Sequence, residues 1–309
     1  MKLRCRVFAF CCSLTLLFSC ALAEEDDGSL VRITTGLPAA EAVEEELATE
    51  TDGGETSDAA AETAQPDEAD AGAPAPSVTA SPAAEETGER WADSQPFGIR
   101  HGPRDQKKVA VTMDDCYDRA CIREIFDFCQ ELGVPMTFFP LGDQLKKKDA
   151  ELWKAIAASN CEIGSHTNHH TNWQHMSYNG ICIHLYRTQE CLDEVLGYHY
   201  GMVSLRPPFG RYTNEKGTPL ATAVKACNRY GYEHVVLWDV SQTNAELAKA
   251  DVQNGSILLY HARAKDVKCL KTLIPWLIQE GYELVTVKDL LQLGEIEIGP
   301  EPYVHKKGE

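Results

Sequence analysis

Residues 108–115 read KVAVTMDD, a short β-branched run that stops at two adjacent carboxylates, Asp114 and Asp115. Working outward, residues 119–132 place Ile122, Ile125, Phe126, Cys129 and Leu132 at helical spacing, and Gly133 closes the turn. Residues 135–141 (PMTFFPL) read as a second strand. Helical patterns follow at 143–159, 177–196, 220–230 and 266–279. Short strands lie between and after them at 161–164, 203–205, 234–237, 256–260 and 283–285. Alternation of this kind predicts an α/β domain with a parallel sheet under covering helices, closed into a barrel or left open.

In such folds chemistry gathers where strands end. Asp114 and Asp115 follow the first strand, and His166 to His170 follow Gly164. Arg206 follows Leu205, Trp238 and Asp239 follow Leu237, and His261 follows Tyr260. Each run thus ends on residues suited to catalysis, five times in chain order. His166 and His170 are four apart, so on a helical turn both imidazoles face one way. A nearby carboxylate then completes a metal site with a position open for water. His169, three from His166, is the rival partner. Each feature has a plainer reading alone. Paired aspartates often cap helices, Arg206-Pro207-Pro208 suits a rigid turn, and Trp238 or His261 suits packing. Tyr212, His175, His184 and His199 read as surface or packing residues.

Taken together, Thr112-Met113-Asp114-Asp115, His166-Thr167-Asn168-His169-His170, Arg206-Pro207-Pro208-Phe209-Gly210, Trp238-Asp239 and Leu259-Tyr260-His261 resemble the five ordered motifs of the polysaccharide deacetylases, the NodB-homology carbohydrate esterases. The likeness runs from about residue 107 to 291. It implies a distorted (β/α) barrel of seven or eight strands and hydrolysis of an acetamido group on a glycan. It further implies that Asp115, His166 and His170 ligate a divalent metal, most often zinc, with cobalt or nickel as substitutes. Asp114 would be the general base, paired with Arg206, and the Phe209 amide would face the oxyanion. His261 would protonate the leaving nitrogen, with Trp238, Asp239, Asn244 and Leu259 lining the substrate pocket.

Two departures from the family pattern stand out. Cys116 occupies a position where the family usually has glycine, so a positive φ there would strain the loop. The fourth motif normally continues to an Asp-Trp pair, whereas this chain reaches Asn244-Ala245. The carboxylate that tunes the catalytic histidine is therefore absent from its usual place, and Asn244 is the acceptor left there. Eight cysteines fall in the domain, which permits disulfides without choosing among 105 pairings; Cys116 with Cys121 is the closest pair in sequence.

The charge has a definite location. Of 47 acidic and 29 basic residues, 20 acidic ones lie between 24 and 95 against only Arg32 and Arg90, which matches the whole formal charge of -18. Residues 96–309 carry 24 basic and 27 acidic side chains, so no cationic excess remains to bind nucleic acid. Residues 24–95, rich in Ala, Glu, Thr, Pro and Gly, cannot bury enough apolar area to order themselves and read as a disordered tether. Their r.m.s. reach is roughly 50 Å as a neutral coil. Ahead of them, Lys2, Arg4 and Arg6 precede an apolar run at 7–18 and Ala21-Leu22-Ala23, the pattern of a signal peptide over 1–23. Leu17-Phe18-Ser19-Cys20 is the competing lipoprotein box, with lipid attachment at Cys20 as its consequence.

The three segments predict a secreted or surface-anchored bacterial protein, acting as a monomer on a glycan, with peptidoglycan the first N-acetylated polymer it would meet. Two other functions fit the same motifs. One is an esterase removing O-acetyl groups from xylan-like glycans, and the other is a glycan-binding module that has lost turnover through Cys116 and Asn244.

Overall fold

A computed structural model describes residues 89–306. The expected signal peptide lies outside the described residues, as does the tether up to residue 88. Among the described residues, no helix is long and apolar enough to cross a membrane.

Nine short strands alternate with seven helices: β1 (Gly98–Ile99), β2 (Lys108–Asp115), α1 (Arg119–Leu132), β3 (Thr137–Pro140), α2 (Ala150–Ala157), β4 (Glu162–Ile163), α3 (Tyr178–Leu196), β5 (His199–Tyr200), α4 (Ala221–Arg229), β6 (Val235–Val236), α5 (Ala245–Asp251), β7 (Ile257–His261), α6 (Ala264–Gln279), β8 (Glu283–Leu284), α7 (Val287–Leu291) and β9 (Ile298–Gly299). The central sheet runs β4-β3-β2-β7, all parallel, with β8 pairing the start of β2. Parallel bridges extend it at Ser165 with Leu205 and at Val240 with Leu258, and the Val236 amide donates to the Leu205 carbonyl. The strands follow one another round a distorted barrel, the predicted α/β architecture.

Local sequence explains where the elements stop. Asp118 caps α1 by accepting from the Ala120 and Cys121 amides, and Gly133 ends it at φ 68°, a conformation that suits a residue without Cβ. The inner face of α1 buries Ile122, Ile125, Phe126 and Cys129 beside Met113, Phe138 and Leu273. Ser177 caps α3 through the Gly180 amide, as its pattern predicts. The helix predicted from residue 143 begins only at Ala150. Lys146, Lys147 and Lys148 are all exposed and supply no apolar face, so this stretch forms two 3-10 turns instead. Residues 203–205, read as a strand, contribute a single bridge.

Packing begins before residue 96. Residues Trp91–Ser94 form a 3-10 turn, Ala92 is fully buried beside Val236 and Leu290, and the Trp91 amide donates to Gln292. Arg90 bridges Asp93 and Glu233. The expected tether therefore ends some six residues earlier than its composition suggests, because Trp91 and Ala92 reach an apolar seat that the local sequence does not reveal.

A chain starting at residue 96 should lose about 1–2 kcal/mol of unfolding free energy relative to one starting at residue 89, through the exposed apolar seat. Paired urea titrations measure this; equal stabilities would return residues 90–95 to the tether.

Candidate active site

Asp114 and Asp115 end β2 at the centre of the sheet, beside Pro140 of β3 and His261 of β7. Consecutive strand residues point to opposite faces. Asp115 departs from this rule because its backbone turns to φ 65° and Cys116 follows at φ 57°. Both carboxylates can then face the same imidazole: His166 Nε2 lies 3.8 Å from Asp114 Oδ2 and 3.4 Å from Asp115 Oδ1. His170 Nε2 stands 3.6 Å from Asp115 Oδ1.

The two histidines meet on a loop, not on the helical turn that their spacing suggested. Thr167, at φ 68°, reverses the chain between them, and their rings sit 5.3 Å apart. Among the described residues, five non-glycines have positive φ, and Asp115, Cys116, Thr167 and Phe209 are four of them. Backbone strain is therefore concentrated at this site, where the surrounding structure must hold it. His169 is excluded as the partner of His166, since its Nδ1 hydrogen-bonds Asp143 at 2.8 Å and its ring meets His184 edge-on. His199 is likewise engaged elsewhere, with Asp193 at 2.6 Å.

Arg206 organises the floor of the site. It is completely buried, and its Nη1 donates to Asp114 Oδ1 at 2.6 Å and to Thr112 Oγ1 at 2.7 Å. Nη2 donates to the Leu237 carbonyl and Nε to that of Val236. Phe139 and Trp238 flank the guanidinium, 4.5 and 5.7 Å from their ring centres. The Arg206 carbonyl accepts from His166 Nδ1 at 2.8 Å, which turns His166 Nε2 toward the carboxylates. One residue thus fixes both the general-base candidate and a ligand candidate.

Burial and charge compete here. Desolvation opposes protonation of His166, yet Asp114 and then Asp115 outweigh it and raise its pKa above the ordinary histidine value. Burial also opposes ionisation of Asp115, but the adjacent imidazoles hold its carboxyl below the usual range. For His170 desolvation prevails, and its pKa falls. Cys116 is buried and pushed well up by desolvation, with Asp114 and Asp115 adding to the effect. Its Sγ faces the Met113 carbonyl, so it is a protonated thiol turned into the core. All eight domain cysteines are free, and the possible Cys116–Cys121 disulfide does not form.

Asp115, His166 and His170 suit a divalent cation. Their donor atoms lie within 4.8 Å of one another, and the buried Asp115 Oδ1 accepts no hydrogen bond. Two imidazoles and a carboxylate are a donor set that zinc accepts. Phe209, at φ 61° after two prolines, lays its exposed ring edge-on to His170 at 4.2 Å. Gly210 sits against Trp238, where an added Cβ would come within 3.0 Å of the indole. Leu259 shares the face of His261 two residues on, and is buried.

Two of the pocket candidates have their polar atoms engaged by other residues. Asp239 Oδ1 accepts from the Ile257 amide, while Oδ2 accepts from Arg104 and Ser256, tying a loop to β7. Asn244 caps α5 by accepting from the Glu246 and Leu247 amides. Asp239 is committed to residues distant in sequence and Asn244 to its own helix start, which the motif pattern could not disclose. The residue that sequence reasoning missed is Asp266. This fully buried carboxylate in the first turn of α6 has Oδ2 2.9 Å from the His261 amide nitrogen and 3.7 Å from His261 Nδ1. A signal existed in the spacing, since a strand-end histidine followed five residues later by an aspartate at a helix start folds the two together.

The fold and this cluster are those of the polysaccharide deacetylase type. Residues 101–235 match the family model described as polysaccharide deacetylase. A peptidoglycan-N-acetylglucosamine deacetylase of Bacillus cereus is 26% identical over 216 residues, covering 65% of this chain and 74% of that protein. The crystal structure of the Bc1960 peptidoglycan N-acetylglucosamine deacetylase superposes with a TM-score of 0.57 at 25% identity, over 65% of this chain and 95% of that one. A CE4 family pseudoenzyme from Bacillus anthracis, BA3943, shares the fold with a TM-score of 0.55 at 22% identity, over 64% of this chain and 70% of that one.

Replacing Arg206 with Met should cost about 3–5 kcal/mol, because Asp114 would remain as a buried and unpaired charge. Urea unfolding of purified variants checks this, and a loss below 1 kcal/mol would show that the pair is not isolated from water.

Proposed function

We propose that this protein is an exported, metal-dependent deacetylase that removes N-acetyl groups from peptidoglycan amino sugars. The observation that carries the reading is the division of labour between adjacent carboxylates. Asp114 is held by Arg206 through Oδ1, which leaves Oδ2 to accept a proton, while Asp115 turns away toward two imidazoles. Relatives named as peptidoglycan deacetylases supply the substrate class. The apolar segment at 7–18 and the acidic tether support export to the compartment where that polymer lies.

In this reading Asp115, His166 and His170 hold the cation, with zinc first and cobalt or nickel as substitutes. When bound, it supplies Lewis acidity and makes water a stronger acid. The chain's own residues do the rest. Asp114 Oδ2 takes the proton from the attacking water, and Arg206 keeps that carboxylate ionised and aimed. The Phe209 amide, presented by the Pro207-Pro208 turn, donates to the developing oxyanion. His261 gives a proton to the departing nitrogen, and the products are acetate and a free amine. A domain close to electrical neutrality suits a largely neutral sugar backbone as substrate.

Asp114→Asn should lower kcat for acetate release from N-acetylated peptidoglycan oligomers by about 10²- to 10³-fold while zinc affinity stays within a few-fold. Enzymatic acetate detection and zinc titration give both numbers. Undiminished turnover in this variant would remove Asp114 from the chemistry.

A further inference from the structure

The proposed reaction needs a histidine whose Nε2 carries the proton at the moment the C–N bond breaks. An imidazole left to itself divides its proton between two nitrogens, and its ring turns freely. A carboxylate on Nδ1 removes both freedoms. In this chain the loop after Trp238 offers two polar groups for the task, and neither is available. Asp239 is tied to Arg104, Ser256 and the Ile257 amide, and Asn244 is spent on the amides of α5.

We propose that Asp266 is the positioning residue for His261, supplied by the first turn of α6 in place of a carboxylate from the fourth motif. This rests on the deacetylase reading above and names the residue that makes its proton donor work.

Four observations converge on this assignment. Asp266 has no exposed surface, while the His261 side chain is 31% exposed and reaches the site. The Arg263 amide donates to the His261 carbonyl and the Asp266 amide to the Arg263 carbonyl, a turn that folds Asp266 back over the end of β7. Its Oδ2 is held by the His261 amide at 2.9 Å and stands 3.7 Å from Nδ1, a gap that a small rotation of the exposed ring would close. Its Oδ1 is buried and accepts no hydrogen bond. A carboxylate oxygen in that state is costly unless a donor arrives, and no Lys or Arg pairs with Asp266 among the described residues. The other titratable groups around it, Cys121, Cys269 and Tyr260, have pKa values raised chiefly by burial, so none of them brings a positive charge.

The step balances as a simple transfer. As the carbon–nitrogen bond breaks, its electron pair stays on nitrogen, which takes the proton from His261 Nε2. The carbonyl carbon keeps the oxygen gained from water and leaves as acetate. Asp266 neither gains nor loses a proton. It holds Nδ1–H throughout, so the doubly protonated ring presents Nε2–H outward and is left as the neutral Nδ1–H tautomer once that proton has gone to the leaving nitrogen.

The plainer role for Asp266 is to satisfy the His261 amide and start α6. Asp266→Asn separates the two roles, because the amide oxygen can still accept from that backbone N–H. The test uses the full zinc-loaded chain on N-acetylglucosamine oligomers and on 4-nitrophenyl acetate, whose leaving group departs without a proton. In Asp266→Asn, kcat on the oligomers should fall by about thirtyfold or more with KM within about twofold, while ester turnover falls by less than about threefold. In the resting, neutral His261 ring, ¹⁵N NMR of the variant should show Nδ1 and Nε2 sharing the single proton where the native chain keeps it on Nδ1, leaving Nε2 to take up and pass on the catalytic proton. Placed in a His261→Gln background, Asp266→Asn should add no further loss. Equal losses on amide and ester, or a full additional loss in that background, would make Asp266 a structural residue and overturn the proposal alone. Undiminished amide turnover in His261→Gln would overturn the role of His261 first, and this one with it.

Discussion

The site depends on a completely buried guanidinium. Moving Arg206 out of solvent is expensive, and the ion pair with Asp114 offsets that expense only if each guanidinium nitrogen finds an acceptor. Here Thr112, Val236 and Leu237 provide those acceptors, and two aromatic rings cover the planar faces. These partners come from β2, β3 and the β6 segment, so the ion pair can form only when the barrel is assembled. The same residue's carbonyl orients His166. Fold and site are therefore one structure: the hydrogen bonds that make Arg206 tolerable also aim two of the groups that bear the chemistry.

A second constraint follows from strand geometry. With Asp114 committed to Arg206, ordinary pleating would send Asp115 to the opposite face of the sheet. The positive φ at Asp115 and Cys116 prevents this and brings both carboxylates to His166, at the cost of about 1–2 kcal/mol for each non-glycine residue in that conformation. Cys116 is informative in this respect. It bears a Cβ where glycine would be unstrained, and its thiol contributes to the core instead of to the site. The site also grades from inside to outside. Asp114, Asp115 and His166 are buried, while His170 and His261 are about a third exposed at the mouth, where a polymer could reach them.

Much of this was legible in the sequence, for identifiable reasons. Strand-end placement exposed Asp114, Asp115, His166, His170, Arg206 and His261, because polar residues closing apolar runs have no packing role to explain them. The helix over 119–132 was legible because its apolar residues recur at helical spacing and Gly133 marks its end. Asp239 and Asn244 are polar residues in the motif loop whose oxygens have other partners: Asp239 accepts from Arg104, Ser256 and the Ile257 amide, and Asn244 from the first amides of α5. Asp266 was passed over because it reads as an ordinary acidic residue opening a helix, although its spacing from His261 carried a signal. The start of the domain was missed because the seat for Trp91 and Ala92 is built by residues some 145 to 200 positions later. Local patterns report local geometry, and the partners of Asp239 and the seat of Trp91 and Ala92 are tertiary destinations of single side chains.

The central claim is that Asp115, His166 and His170 are the cation ligands while Asp114, one residue away, is kept from the cation by Arg206. X-ray absorption at the zinc edge on the zinc-loaded full chain tests it most directly. Scattering from two imidazoles and carboxylate oxygen, without sulfur and unchanged in Asp114→Asn, is the predicted result. A sulfur donor, which would place Cys116 on the metal, or a donor set altered by Asp114→Asn would contradict it.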